Sequence, residues 1–150
     1  KPLNALFDKQ FSNIVLWFDD DMFCQINLLT ILAYLDQTDY NGRIAFNLMD
    51  HKFSVVDCFE LDVRGYHEVY KQVMIYRGIP RKIGLPVLER GIELYFEYIK
   101  EDSEIIEYIR QNDILEISVL LAELFNKFPQ YGLGDAQYIQ LIEKYRNKSI

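Results

Sequence analysis

The sequence predicts an α/β fold: a small parallel sheet in a Rossmann-like βαβ unit, followed by an all-α C-terminal region. Three observations predict it. The continuous apolar run Ile14–Phe18 is rich in β-formers and ends on three aspartates, Asp19, Asp20 and Asp21. A long helical pattern and then a second β-like run, Arg43–Leu48, follow it directly. Beyond residue 86 the apolar residues keep helical spacing and no strand pattern returns.

The opening residues KPLNALFDKQF place Leu3, Leu6 and Phe7 on one helical face, as in the tail of an amphipathic helix. Two or three strands make a small sheet, so a first strand is expected from sequence before Lys1. Ile14–Phe18 suits a strand buried on both faces. Asp19–Asp21 supplies N-cap chemistry, because a carboxylate accepts from free backbone N–H groups. The following helix carries a wide apolar stripe, with Phe23, Ile26, Leu28, Leu29, Leu32 and Leu35, and should be mostly buried. The turn residues Asp39–Gly42 end it. Arg43–Leu48 then reads as a strand, reached by a right-handed crossover. Phe53–Val56 reads either as a third short strand or as a loop. Asp62–Arg77 returns to helical spacing through Val63, Tyr66, Tyr70, Val73 and Met74.

RGIPRKIGLP, residues 77–86, holds two Gly, two Pro and a cluster of bases. It divides an α/β region, 1–80, from a helical region, 81–150. Helices are expected over Val87–Lys100, Ser103–Gln111 (opened by Ser103) and Ile114–Phe128. The last of these would bury Leu120, Leu121, Leu124, Phe125 and Phe128. After the turn at 129–134, Asp135 is expected to cap a final helix whose apolar face is Tyr138, Ile139, Ile142 and Tyr145.

Composition narrows the function classes. Half of the 150 residues are hydrophobic and 15% are aromatic, enough for a packed core. A net charge of -7 disfavours a free-standing nucleic-acid binder, which normally presents a basic face. The two cysteines, Cys24 and Cys58, form no CxxC and no disulfide framework. Cys24 falls within the buried helical pattern and reads as a free thiol, which fits a cytoplasmic protein. No apolar run reaches the ~18 residues of a membrane span.

The candidate site follows from topology. In open α/β sheets ligands bind beyond the carboxyl ends of the strands. Trp17, Asp19, Asp20 and Asp21 stand at such an end, and Asp57 and Glu60 could join them from the next segment. Such carboxylates could hold a Mg²⁺ ion through oxygen ligands. The plain alternative is helix capping and favourable charge at a helix N-terminus. His51 and His67 lack metal-ligand spacing, so no zinc site is expected. Neither GxGxxG nor GxxxxGK[ST] occurs. Arg77, Arg81, Lys82 and Arg90 could meet phosphates or an acidic partner, or form a solvated linker. Residues 114–148 have the outline of a helix-turn-helix. Acids outnumber bases over 101–150, however, and only Gln137 and Gln140 stand ready on the second helix, so a packing hairpin is the better reading.

The stretch IVLWFDDDMFCQINLLTILAYL resembles the central part of the domain-of-unknown-function 1835 family of bacterial proteins. LAELFNKFPQYGLGDAQYIQLIEKY is similar to the helical region that often accompanies it. The matching residues are Trp17, Asp21, Phe23, Gln25, Leu28, Gly134 and Asp135. The resemblance implies a first strand and a Gly/Asp/Ser-containing turn upstream. It implies no activity, although some members carry a transcriptional-regulator label.

The resulting expectation is a ligand- or protein-binding α/β module. The alternatives are a Mg-dependent enzyme on a phosphorylated or nucleotide substrate and a DNA-binding regulator using the C-terminal hairpin. The expected partner is a small molecule or a protein, a homodimer being one such arrangement, with nucleic acid disfavoured and no membrane.

Overall fold

The computed structural model describes residues 11–146. The segment with Leu3, Leu6 and Phe7 lies outside the described residues. The described residues form a three-stranded mixed sheet and six α-helices. Strand β1 (Asn13–Asp19) leads into helix α1 (Met22–Gln37), and strand β2 (Arg43–Met49) returns parallel to β1. Strand β3 (Val55–Leu61) pairs antiparallel with β2, giving the order β1-β2-β3.

The third strand corrects two expectations. It covers Val55–Leu61 rather than Phe53–Val56, and it makes the sheet mixed rather than parallel. The physical reason is the link. Residues 50–54 are enough for a hairpin, whereas a parallel return takes a dozen or more residues. The Asp50 carboxylate builds this turn, accepting from Lys52 N at 2.9 Å and Ser54 N at 2.8 Å. Phe53 sits at φ +60°, as the tight reversal requires.

Helix α1 is buried on several sides, through Met22, Gln25, Leu28, Leu29, Leu32, Ala33 and Leu35. One side meets the sheet at Leu16, Ile44 and Phe46, and the others meet the remaining helices. Helix α2 (Tyr66–Tyr70) starts later than its spacing suggests. It then widens into a π-helical segment, Lys71–Ile75, where Tyr76 N reaches Lys71 O at 2.9 Å. Helices α3 (Pro86–Tyr98), α4 (Glu104–Gln111), α5 (Ile117–Lys127) and α6 (Asp135–Arg146) complete the chain. Pro86 opens α3 at a position where its missing N–H costs nothing. Ser103 precedes α4 as expected, but its hydroxyl makes no capping bond and is buried without a partner.

One hydrophobic core joins both halves of the chain. It runs from Phe46 and Leu32 through Leu88 and Ile109 to Leu124 and Tyr138. One close contact between the halves is at Gly91 of α3, where an added Cβ would stand 2.4 Å from Cβ of the fully buried Gln25. The expected burial of β1 on both faces does not occur. Of the helices of residues 86–146, α3 packs onto α1 and the others pack mainly on one another, while the opposite face of the sheet keeps Val15, Trp17 and Val56 exposed. Phe125 is likewise exposed although it was expected in the core.

Candidate functional site

Strand alternation decides what β1 shows to solvent. Leu16 and Phe18 point to the core, while Asn13, Val15, Trp17 and Asp19 share the open face. The pairing register brings Trp17 beside Asn47 and Asn47 beside Cys58, in one row across the sheet. The Cys58 thiol donates to Asn47 Oδ1 at 2.8 Å within this row. Trp17 is 56% exposed, with the exposed Val15 beside it on β1 and the exposed Val56 two strands away on β3. The result is an uncovered apolar patch on a sheet whose parallel pair would ordinarily be covered on both sides.

The three aspartates at the end of β1 have different jobs. Asp21 is the N-cap of α1, and its Oδ1 accepts from Cys24 N at 2.8 Å. The same carboxylate fills the space over Gly132, where an added Cβ would fall 2.1 Å from it. Asp21 therefore joins the start of α1 to the turn before α6. Asp19 accepts from Asp20 N through Oδ1 at 3.1 Å. Its carbonyl accepts from Gln25 Nε2 at 2.6 Å, which ties the strand end to the helix. Asp19 and Asp20 come together with His51, each offering one ligand atom within 4.8 Å of the others. His51 Nδ1 lies 3.8 Å from Asp19 Oδ2.

This trio differs from the expected set. Asp57 and Glu60 do not join it. The Asp57 carboxylate accepts from its neighbour Cys58 N at 2.8 Å. Glu60 lies about 10 Å further along β3 at the strand rise, where it pairs with Arg43 at 3.0 Å. Spacing excluded His51 from metal chemistry, yet the Asp50 turn carries it to the end of β1. The signal that could have found it is the same short hairpin link that fixes β3.

Cys24 stands beside this site without serving it. Burial, partly offset by a backbone hydrogen bond at Asp19, pushes its thiol up to about 11, and the Asp21 charge adds to the shift. It stays a protonated thiol across the neutral range and offers no ligand. Half-buried rather than fully buried, it is a free thiol as expected.

The trio's chemistry can be read from its donors. Two carboxylates and one imidazole suit a first-row divalent metal better than Mg²⁺, which prefers an all-oxygen octahedron. The Asp19 Oδ2 and His51 nitrogen positions are open to solvent, so a metal there would keep several water ligands. Elsewhere, a groove of about 750 Å³ lies between residues 79–83 and α3. Compared with known proteins, the chain matches no protein-family model, no curated protein and no solved structure.

Proposed function

We propose that this chain is a protein-binding α/β module that docks its partner on the uncovered face of the sheet. The observation that carries the reading is Trp17, 56% exposed on the edge strand β1 beside the exposed Val15. Aromatic anchors of this kind dominate binding surfaces, and large apolar patches on a folded surface mark interaction sites. The Arg43–Glu60 pair at one end and the Asp19 carboxylate at the other frame the patch with polar groups. A partner would therefore present apolar side chains with a cation at the Asp19 end. The β1–α1–β2 segment is taken as a Rossmann-like βαβ unit in this reading. The likeness to the domain-of-unknown-function 1835 family belongs to the same proposal, supported by the packing of its two stretches at Asp21 and Gly132. A cytoplasmic setting is part of it as well: no helix among the described residues is long and apolar enough to cross a membrane, and both cysteines are free.

Photo-crosslinking tests the reading. A benzophenone side chain placed at position 17 or 56 should give adducts of discrete mass in cells. The equally exposed helix-end position Glu101 should not. Equal yields at all three positions would overturn the proposal.

A second reading is favoured by the Asp19–Asp20–His51 trio: the same edge holds a divalent metal. Because Trp17 is the chain's single tryptophan, its fluorescence reports on this edge. Titration with Mn²⁺ or Ni²⁺ should quench Trp17 in the native chain and fail to do so in Asp19→Asn and His51→Ala. Quenching that the variants retain, or none in the native chain, removes the metal reading and with it the Mg-type enzyme alternative at this site. The regulator alternative finds little support in α6. Tyr138 and Ile142 face the core, and Gln137 is engaged by Gly134 N at 3.0 Å.

A further inference from the structure

The groove beside α3 lies apart from the sheet face and has a lining of its own. Its roof is the segment Arg77–Leu85, and this segment is pinned at both ends. At one end the Arg77 guanidinium donates to Tyr95 Oη at 2.6 Å and lies 5.6 Å from the ring centre, while Gly78 N donates to Gln72 O at 2.8 Å. At the other end the Glu89 carboxylate accepts from Ile83 N at 2.7 Å and Gly84 N at 3.0 Å. The span between the pins stands off the helix and leaves a space of about 750 Å³. That volume falls within the ~300–1,000 Å³ of small-molecule sites.

The lining is apolar on both sides. Ile92, Phe96 and Ile99 form the floor, and Ile79, Pro80 and Ile83 line the roof. Ile79 is 89% exposed, an unfavourable position for a large aliphatic side chain with nothing laid against it. The acids nearby are all engaged. Glu89 holds the two amides, Glu93 pairs with Arg90 at 3.3 Å, and Glu97 pairs with Lys100 at 2.7 Å. Lys82 faces Glu89. Arg81, at the rim, makes no ion pair or hydrogen bond among the described residues. An apolar trough ending at one free guanidinium complements an unbranched apolar chain ending in one anion. A planar carboxylate matches the fork of the guanidinium.

We infer that this groove binds a free fatty acid, with the acyl chain between Ile79 and Phe96 and the carboxylate on Arg81. The test is a calorimetric titration of the whole chain with octanoate, decanoate and laurate, each below its micellar concentration. Affinity should rise about three- to fourfold per added methylene. Dodecanol, which lacks the charge, should bind at least tenfold more weakly than laurate. Arg81→Glu should remove most of that advantage without changing dodecanol binding. Ile79→Asp, at an exposed position that leaves the fold intact, should weaken both ligands. The inference is overturned by laurate failing to bind, or by affinity indifferent to chain length or to Arg81→Glu. It is equally overturned by binding to phosphatidylglycerol vesicles without binding to free laurate. None of these results touches Trp17, so this site and the sheet-face reading fail or stand separately.

Discussion

Gly91→Ala should destabilise the protein, although helix propensity alone predicts the opposite. Gly91 is buried in the middle of α3, where replacing Gly by Ala normally gains about 1 kcal/mol. Here the new methyl would stand 2.4 Å from Cβ and 3.0 Å from Cγ of Gln25 on α1. A Cβ cannot rotate away, and Gln25 is fully buried and held to the Asp19 carbonyl at 2.6 Å. The two helices must separate, and overpacking of this kind costs about 2–3 kcal/mol after the propensity gain is subtracted. At this chain length that corresponds to a fall in Tm of about 5–10 °C. Gln25→Gly removes both colliding atoms. A double-mutant cycle should therefore show coupling of at least about 2 kcal/mol, with Gly91→Ala harmless or stabilising in the Gln25→Gly background. Strict additivity in urea melts would mean that the helices are not in this contact.

Gly132→Ala is expected to cost a similar amount by a different route. Gly132 has φ +63°, which an alanine adopts at a cost of about 1–2 kcal/mol. Its new Cβ would also fall on the Asp21 carboxylate, 2.1 Å from Oδ1 and 2.3 Å from Cγ. That carboxylate can move only by leaving Cys24 N, and loss of an N-cap costs about 1 kcal/mol. The sum is about 2–3 kcal/mol by the same two terms. Asp21→Ser keeps an oxygen for the cap and removes bulk. Combined with Gly132→Ala it should recover the collision and leave only the backbone strain. Denaturant midpoints of the four proteins measure this directly. A Gly132→Ala protein of native stability, or one that Asp21→Ser does not improve, would refute the contact between the turn and the start of α1.

The local signals that read well were those carried by neighbours in sequence. The run Ile14–Phe18 is a strand because its residues are apolar β-formers, and Asp21 caps α1 because a carboxylate one residue before a helix meets its free N–H groups. Pro86 marks the start of α3 for a similarly local reason. The π-helical widening at Lys71–Ile75 has no such signature, since its spacing of Val73 and Met74 fits an ordinary helix equally well. β3 reads too early in the sequence, at Phe53–Val56, and as either strand or loop, because VVDCFEL alternates poorly and its exposed Asp57, Cys58 and Glu60 belong to a strand with only one covered face.

The candidate site divides along the same line. Asp19, Asp20 and Asp21 form one run in the sequence, yet which of them caps the helix depends on where α1 begins, and this was legible. His51 joins Asp19 and Asp20 because parallel pairing sets Asp19 beside Met49, two residues before His51 in the hairpin turn, a consequence of the strand register and not of residue spacing. Asp57 and Glu60 looked like further ligands by composition, but antiparallel pairing sends Glu60 to Arg43 at the far end of the strand.

The sequence by itself determined the order of elements, the capping role of Asp21 and the acidic, aromatic-rich character of the chain. These depend on backbone propensity and hydrophobic period, which act over a few residues. The tertiary structure decided which face of the sheet stays open around Trp17, that Gly91 meets Gln25 and Gly132 meets Asp21 between the halves, and that Arg81 stands free above an apolar groove. Such features depend on which distant surfaces compete to cover one another. Helix α3 packs on α1, and among the described residues the other face of the sheet keeps Trp17 exposed, an outcome that no local pattern encodes.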